Sequence, residues 1–163
     1  MNTVNPYLKQ YQKTQIETAT PGQVLIMLYD GAIQFLIKAK TALEEKNFER
    51  FCNSIISCQR IILEFMDTLD MEIGGELAQN LYRLYEYLYD VLGKANIKKD
   101  VDKIDEVLKH LKELRETWQK AITISNSEKS ESLIEDSVDK YSKDNDDDEY
   151  EDDDEDYEYQ DGE

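Results

Sequence analysis

The chain has 163 residues, 37 acids against 19 Lys and Arg, and a net charge of −18. That length allows one domain with a modest core. The charge is confined: residues 128–163 carry 19 acids and three bases, whereas residues 1–127 carry 18 acids and 16 bases. An almost neutral segment followed by an acidic one excludes nucleic acid as a partner for the acidic run, because both carry like charge. No basic stretch followed by an apolar run opens the chain, and no apolar segment approaches the roughly 18 residues that cross a bilayer. The reading is a cytoplasmic location without membrane insertion.

Residues 1–19 hold Pro6, Tyr7, Leu8, Tyr11 and Ile16 among polar neighbours and read as an N-terminal arm. Thr20-Pro21-Gly22-Gln23 then reads as a helix start. Thr20 can cap, Pro21 suits the first helical position, and Gln23 can complete a capping box. The spacing predicts a first helix to about residue 46 and a second, capped by Asn47, to about residue 69. Residues 71–75, with Gly74-Gly75, break the pattern. A third helix is predicted over 76–95 and a fourth, capped by Asp100, to about residue 124. Apolar residues recur at three and four, never at two, so nothing reads as strand. Four helices of similar length with short connections predict an all-α fold, an antiparallel up-down four-helix bundle over 20–124. The remainder, 125–163, is acidic with little to bury, which predicts a disordered tail.

The helices carry more apolar surface than one core stripe requires. In the first helix Leu25, Leu28, Ala32, Phe35, Leu36, Ala39 and Leu43 form one stripe, and Ile26, Tyr29, Ile33 and Ile37 a second beside it. The second helix has Phe48, Phe51, Ile55, Cys58, Ile62, Phe65 and Leu69 as its seam, with Cys52, Ile56, Leu63 and Met66 alongside. The third has Leu77, Leu81, Leu84, Leu88 and Val91 as the predicted core seam. Ala78, Tyr82, Tyr85 and Tyr89 make a parallel tyrosine stripe. The fourth turns Ile104, Leu108, Leu111, Trp118 and Ile122 inward. Residue by residue, core packing is the commoner fate of such stripes. As a set they exceed what so small a bundle can hide, which predicts apolar grooves that receive amphipathic helices of another chain.

Catalytic chemistry is poorly supplied. His110 is the sole histidine, so a helical di-iron site, which needs two, is excluded. Cys52 and Cys58 stand six apart on one helix, too far for a disulfide and without a nearby base, and read as small apolar residues. Gly74-Gly75 follows no strand and is no phosphate loop. The sequence therefore predicts a binding protein without a cofactor or metal, not an enzyme.

Particular residues also carry a family resemblance. Residues 18–32, Thr-Ala-Thr-Pro-Gly-Gln-Val-Leu-Ile-Met-Leu-Tyr-Asp-Gly-Ala, resemble the first helix of the bacterial flagellar secretion chaperones. Tyr7 and Tyr11 fit that family's N-terminal arm. Leu69-Asp70 with Gly74-Gly75-Glu76-Leu77-Ala78, and Leu114-Arg115-Glu116-Thr117-Trp118, are similar to its later helices. The resemblance spans 5–122. It implies a cytoplasmic export chaperone that holds the C-terminal helical region of flagellin in surface grooves, prevents premature polymerisation and delivers it to the export gate. It further implies that Tyr7, Leu8 and Tyr11 cap the groove and that Ile26, Tyr29 and Ile33 line it. Tyr82, Tyr85 and Tyr89 are added to the site from spacing alone. Monomer and homodimer both remain open. The acidic extension departs from the family pattern; an alternative reading makes it the carrier of a basic protein.

Overall fold

The computed structural model describes residue 10, residues 13–15 and residues 17–143, the last eleven as backbone. Tyr7, Leu8, Tyr11 and the acidic run 144–156 lie outside the described residues. Four helices follow in order: α1 Pro21–Glu44, α2 Phe48–Asp67, α3 Met71–Lys98 and α4 Val101–Lys143. No strand occurs among the described residues.

The starts fall where the sequence signals them. Thr20 accepts from the Gln23 backbone at 3.3 Å while the Gln23 side chain accepts from the Thr20 backbone at 2.9 Å, a complete capping box. Asn47 caps α2 through Arg50 N at 3.0 Å. Asp100 caps α4 by accepting from the Asp102 and Lys103 amides at 3.1 and 3.3 Å. α3 begins earlier than predicted. Asp70 accepts from the amides of Glu72 and Ile73, both at 2.9 Å, and opens a helical turn ahead of the glycines. Gly75 then interrupts the helix at φ 50, ψ −128, a conformation that only glycine adopts without strain. Lys99, left-handed at φ 56, closes α3.

Neighbouring helices run antiparallel. Asp30 pairs with Arg115 and Lys40 with Asp105, the latter at 2.6 Å, which fixes α4 alongside α1. Gln59 donates to the Tyr89 carbonyl at 3.1 Å, which fixes α2 against α3. The bundle is the predicted up-down arrangement.

One aromatic from each helix builds a layer across the core. Tyr29 of α1 stacks on Phe65 of α2 with ring centroids 4.4 Å apart, and Phe65 meets Tyr85 of α3 at 5.3 Å. The Tyr29 and Tyr85 hydroxyls lie 2.5 Å apart, and Trp118 Nε1 of α4 donates to the Tyr29 hydroxyl at 3.1 Å. Three polar handles are thus satisfied within a buried layer, as burial requires. Above and below it the core is aliphatic, with Leu36, Ile55, Ile62, Leu88, Leu92, Ile104 and Leu111 fully buried.

Three expectations change. The inward face of α3 is Ala78, Tyr85, Leu88, Val91, Leu92 and Ala95, whereas Leu77, predicted as core, is 63% exposed. Leu88 and Val91 of the predicted seam are buried, so the departure is confined to the start of the segment, just after the break at Gly75. Phe48, predicted on the α2 seam, is exposed at its first turn. Finally, the chain is helical past residue 124 as far as Lys143. Residues 125–143 carry only five acids and three bases, so the dense acidity begins after them. Extending an existing helix needs no new nucleus. Within this stretch Ser127 and Ser130 donate to the carbonyls of Thr123 and Asn126 at 3.0 and 2.9 Å. The compact unit that holds the core ends at Ile122.

Candidate functional site

α2 leaves two large aliphatic residues uncovered two turns apart: Ile56 at 40% and Leu63 at 41% exposure. They follow from helical arithmetic. With Phe51, Ile55, Cys58, Ile62 and Phe65 turned into the core, positions one residue further round must face out. On α3 the corresponding pair is Tyr82, 37% exposed, and half-buried Tyr89, again seven apart. The two pairs flank one seam. Gln59, between Ile56 and Leu63, bonds to the Tyr89 backbone, and a Cβ at Gly93 would sit 3.8 Å from the Gln59 amide. The absence of a side chain at Gly93 leaves the seam open at that point. At one end Lys99 Nζ lies 3.4 Å from Cys52 Sγ and 4.7 Å from the Phe51 ring centroid, placing a cation beside the strip. The result is an apolar strip with tyrosine hydroxyls on one side, a surface suited to an amphipathic helix.

A concavity of about 500 Å³ lies at the start of α1. Gln15, Thr18 and Ala19 line it from the arm, Gly22, Gln23, Ile26 and Met27 from α1, and Gln119 and Ile122 from α4. Gly22 makes the close approach possible, since a Cβ there would stand 3.1 Å from the Ile122 side chain. Ile26 forms its floor and is otherwise buried.

Tyr7, Leu8 and Tyr11 lie outside the described residues, and the other six residues singled out from sequence separate into three groups. Tyr82 and Tyr89 come together on the strip, and Ile26 lines the arm groove. Tyr29, Ile33 and Tyr85 belong to the core, with Tyr29 fully buried, and offer no surface to a partner in this structure. The physical reason is that α1 touches neighbours on two sides, so its second stripe is also enclosed as far as Ile33, while Ile37 at its end stays exposed. Burial and the neighbouring Tyr85 hydroxyl push the Tyr29 phenol above its ordinary range, and burial does the same for Tyr85. Burial pushes the Cys58 thiol up to about 12, which keeps it protonated and unreactive at neutral pH. Ile56 and Leu63 were not singled out as site residues, although the sequence placed them beside the α2 seam. The signal that finds them is the sharpness of that seam, which leaves the adjacent apolar positions without a core role. No helix among the described residues is long and apolar enough to cross a membrane.

Comparison with known proteins agrees with this architecture. The profile of the family described as flagellar protein FliS matches residues 3–125. The flagellar secretion chaperone FliS of Bacillus subtilis (strain 168) is 38% identical over 118 residues, covering 72% of this chain and 86% of that protein. The FliS chaperones of Salmonella typhimurium and Vibrio cholerae are 33% and 30% identical over 117 and 116 residues, covering 87% and 85% of their own lengths. The family match stops at residue 125 and leaves the acidic extension outside it. By sequence and by its helical architecture, this chain belongs to the FliS family of flagellar secretion chaperones.

Proposed function

We propose that the protein binds the C-terminal helical region of flagellin in the bacterial cytoplasm, keeps it from polymerising and assists its delivery to the export gate. The observation that supports this reading is the strip of Ile56, Leu63, Tyr82 and Tyr89, left at the surface of a bundle whose core is already closed. Flagellin helices that pack in the filament must hide an apolar face before assembly, and such a strip supplies the cover. The arm, residues 1–19, lies over the groove at the start of α1 when no client is present, with Tyr7, Leu8 and Tyr11 as its anchors. It yields that groove when the client arrives.

Calorimetric titration with a flagellin C-terminal fragment, at low and high salt, tests the reading. Tight, salt-tolerant binding with a large negative heat-capacity change is expected, because burial of apolar surface dominates. Replacing Leu63 by Asp together with Tyr82 by Ala weakens binding by about tenfold or more, since each helix of the strip then loses an exposed apolar contact. Unchanged affinity in the folded double variant removes the strip from the site. Binding that collapses with salt and disappears on deletion of residues 144–163 transfers the function to the acidic extension and a basic protein.

A further inference from the structure

Ile73 is 89% exposed, more than any other large apolar residue described, and Leu77 stands one turn on at 63%. Both lie at the start of α3, on either side of the Gly75 break and next to the turn from α2, and this turn is built to hold them out. The Asp70 carboxylate fixes the Glu72 and Ile73 amides. Gly74 packs so closely on Ala78 that a Cβ there would fall 2.6 Å from the alanine methyl, and Gly75 takes a backbone conformation reserved for glycine. Neither Ile73 nor Leu77 can retract into the core without dismantling that turn.

The chain segment around them carries one sign of charge. Between Arg60 and Arg83 the chain has five carboxylates and no Lys or Arg. Asp67, Asp70, Glu72 and Glu76 are exposed around the two apolar side chains, and no ion pair among the described residues neutralises them. We propose that this turn is a second docking surface, distinct from the α2–α3 strip, for a basic amphipathic helix of another protein. Apolar residues of that helix would cover Ile73 and Leu77 while flanking Lys or Arg meet the carboxylates. The charge selects this occupant. The chain's own extension is acidic and is repelled, as are the same turn of a second copy and an anionic lipid surface. The turn is already fixed, so little ordering opposes docking.

The full-length chain tests this with a synthetic Leu/Lys amphipathic peptide of about 18 residues, five helical turns, bearing a photo-crosslinker at one Leu, beside a Leu/Glu counterpart. Cross-links from the Leu/Lys peptide to residues 67–81, absent for the Leu/Glu peptide, are expected. Replacing Ile73 and Leu77 by Ser cuts that cross-linking about tenfold, and Glu72→Gln with Glu76→Gln also lowers it. Circular dichroism and affinity for the flagellin fragment stay unchanged in both. Cross-links confined to residues 144–156, or a yield indifferent to both double variants, overturn the proposal. A loss of flagellin affinity in the serine variant also overturns it, because the turn would then be part of the client strip.

Discussion

Tyr82 and Tyr85 sit on the same turn of α3, about 60° apart round the helix, and meet opposite fates. Tyr85 is buried in the aromatic layer, bonded to Tyr29, while Tyr82 is over a third exposed beside Leu63's helix. Residue type does not distinguish them; the rotation of α3 does. A tyrosine aimed at the bundle axis is a structural element that locks three helices in register. One aimed past a neighbouring helix is free to meet another chain. The lesson is that stripe and phase are separate pieces of information, and only the first is written in the spacing.

The contrast can be broken most forcefully at Phe65, which touches both inner tyrosines. Phe65→Ala opens a cavity in the layer and is expected to lower unfolding free energy by about 3–5 kcal/mol in denaturant titration. Tyr82→Ala should stay within about 0.5 kcal/mol of the parent. Equal losses would mean that Tyr82 is as structural as Phe65. Next in size is Gly75→Ala, which forces a side chain into φ 50 and is expected to cost about 1–3 kcal/mol. Because it disturbs the break that sets the phase of α3, it should also alter near-ultraviolet circular dichroism of the aromatic layer. The smallest effect sharpens the comparison through pH. Tyr29 and Tyr85 have folded-state ionisation raised above the ordinary value of 10.0, so the stabilisation is complete below that pH and declines as pH rises above it. For Tyr29 the loss approaches roughly 1.4 kcal/mol per pH unit once the pH exceeds the ordinary value, and Tyr85 adds to it in the same direction. Thermal midpoints measured between about pH 9 and about pH 11 should fall more steeply in the parent than in Tyr29→Phe.

Much of the architecture was legible before any coordinates. The capping box at Thr20, the caps Asn47 and Asp100 and the break at Gly74-Gly75 are local chemistry, and local chemistry is what a sequence states directly. The seam of α2 is also legible from Phe51 to Phe65, where every seam position is buried although further apolar residues stand beside it. α1 and α3 were harder, since each carries two adjacent apolar stripes. Which of them faces inward depends on the crossing of neighbouring helices, as Tyr29 and Leu77 show from opposite sides. The length of α4 departs from the sequence expectation for a different reason. Averaging charge over 128–163 hid the balanced stretch before residue 144, where helix can continue.

Trp118 gives the aromatic layer an optical consequence. It is the only tryptophan of the chain, and its indole N–H is engaged by the Tyr29 hydroxyl. Its emission therefore reads the seating of α4 on α1 with no added label. Any event that withdraws α4 there exchanges that hydroxyl for water and shifts the emission to longer wavelength. The molecule carries its own gauge of whether capturing a partner leaves the bundle closed.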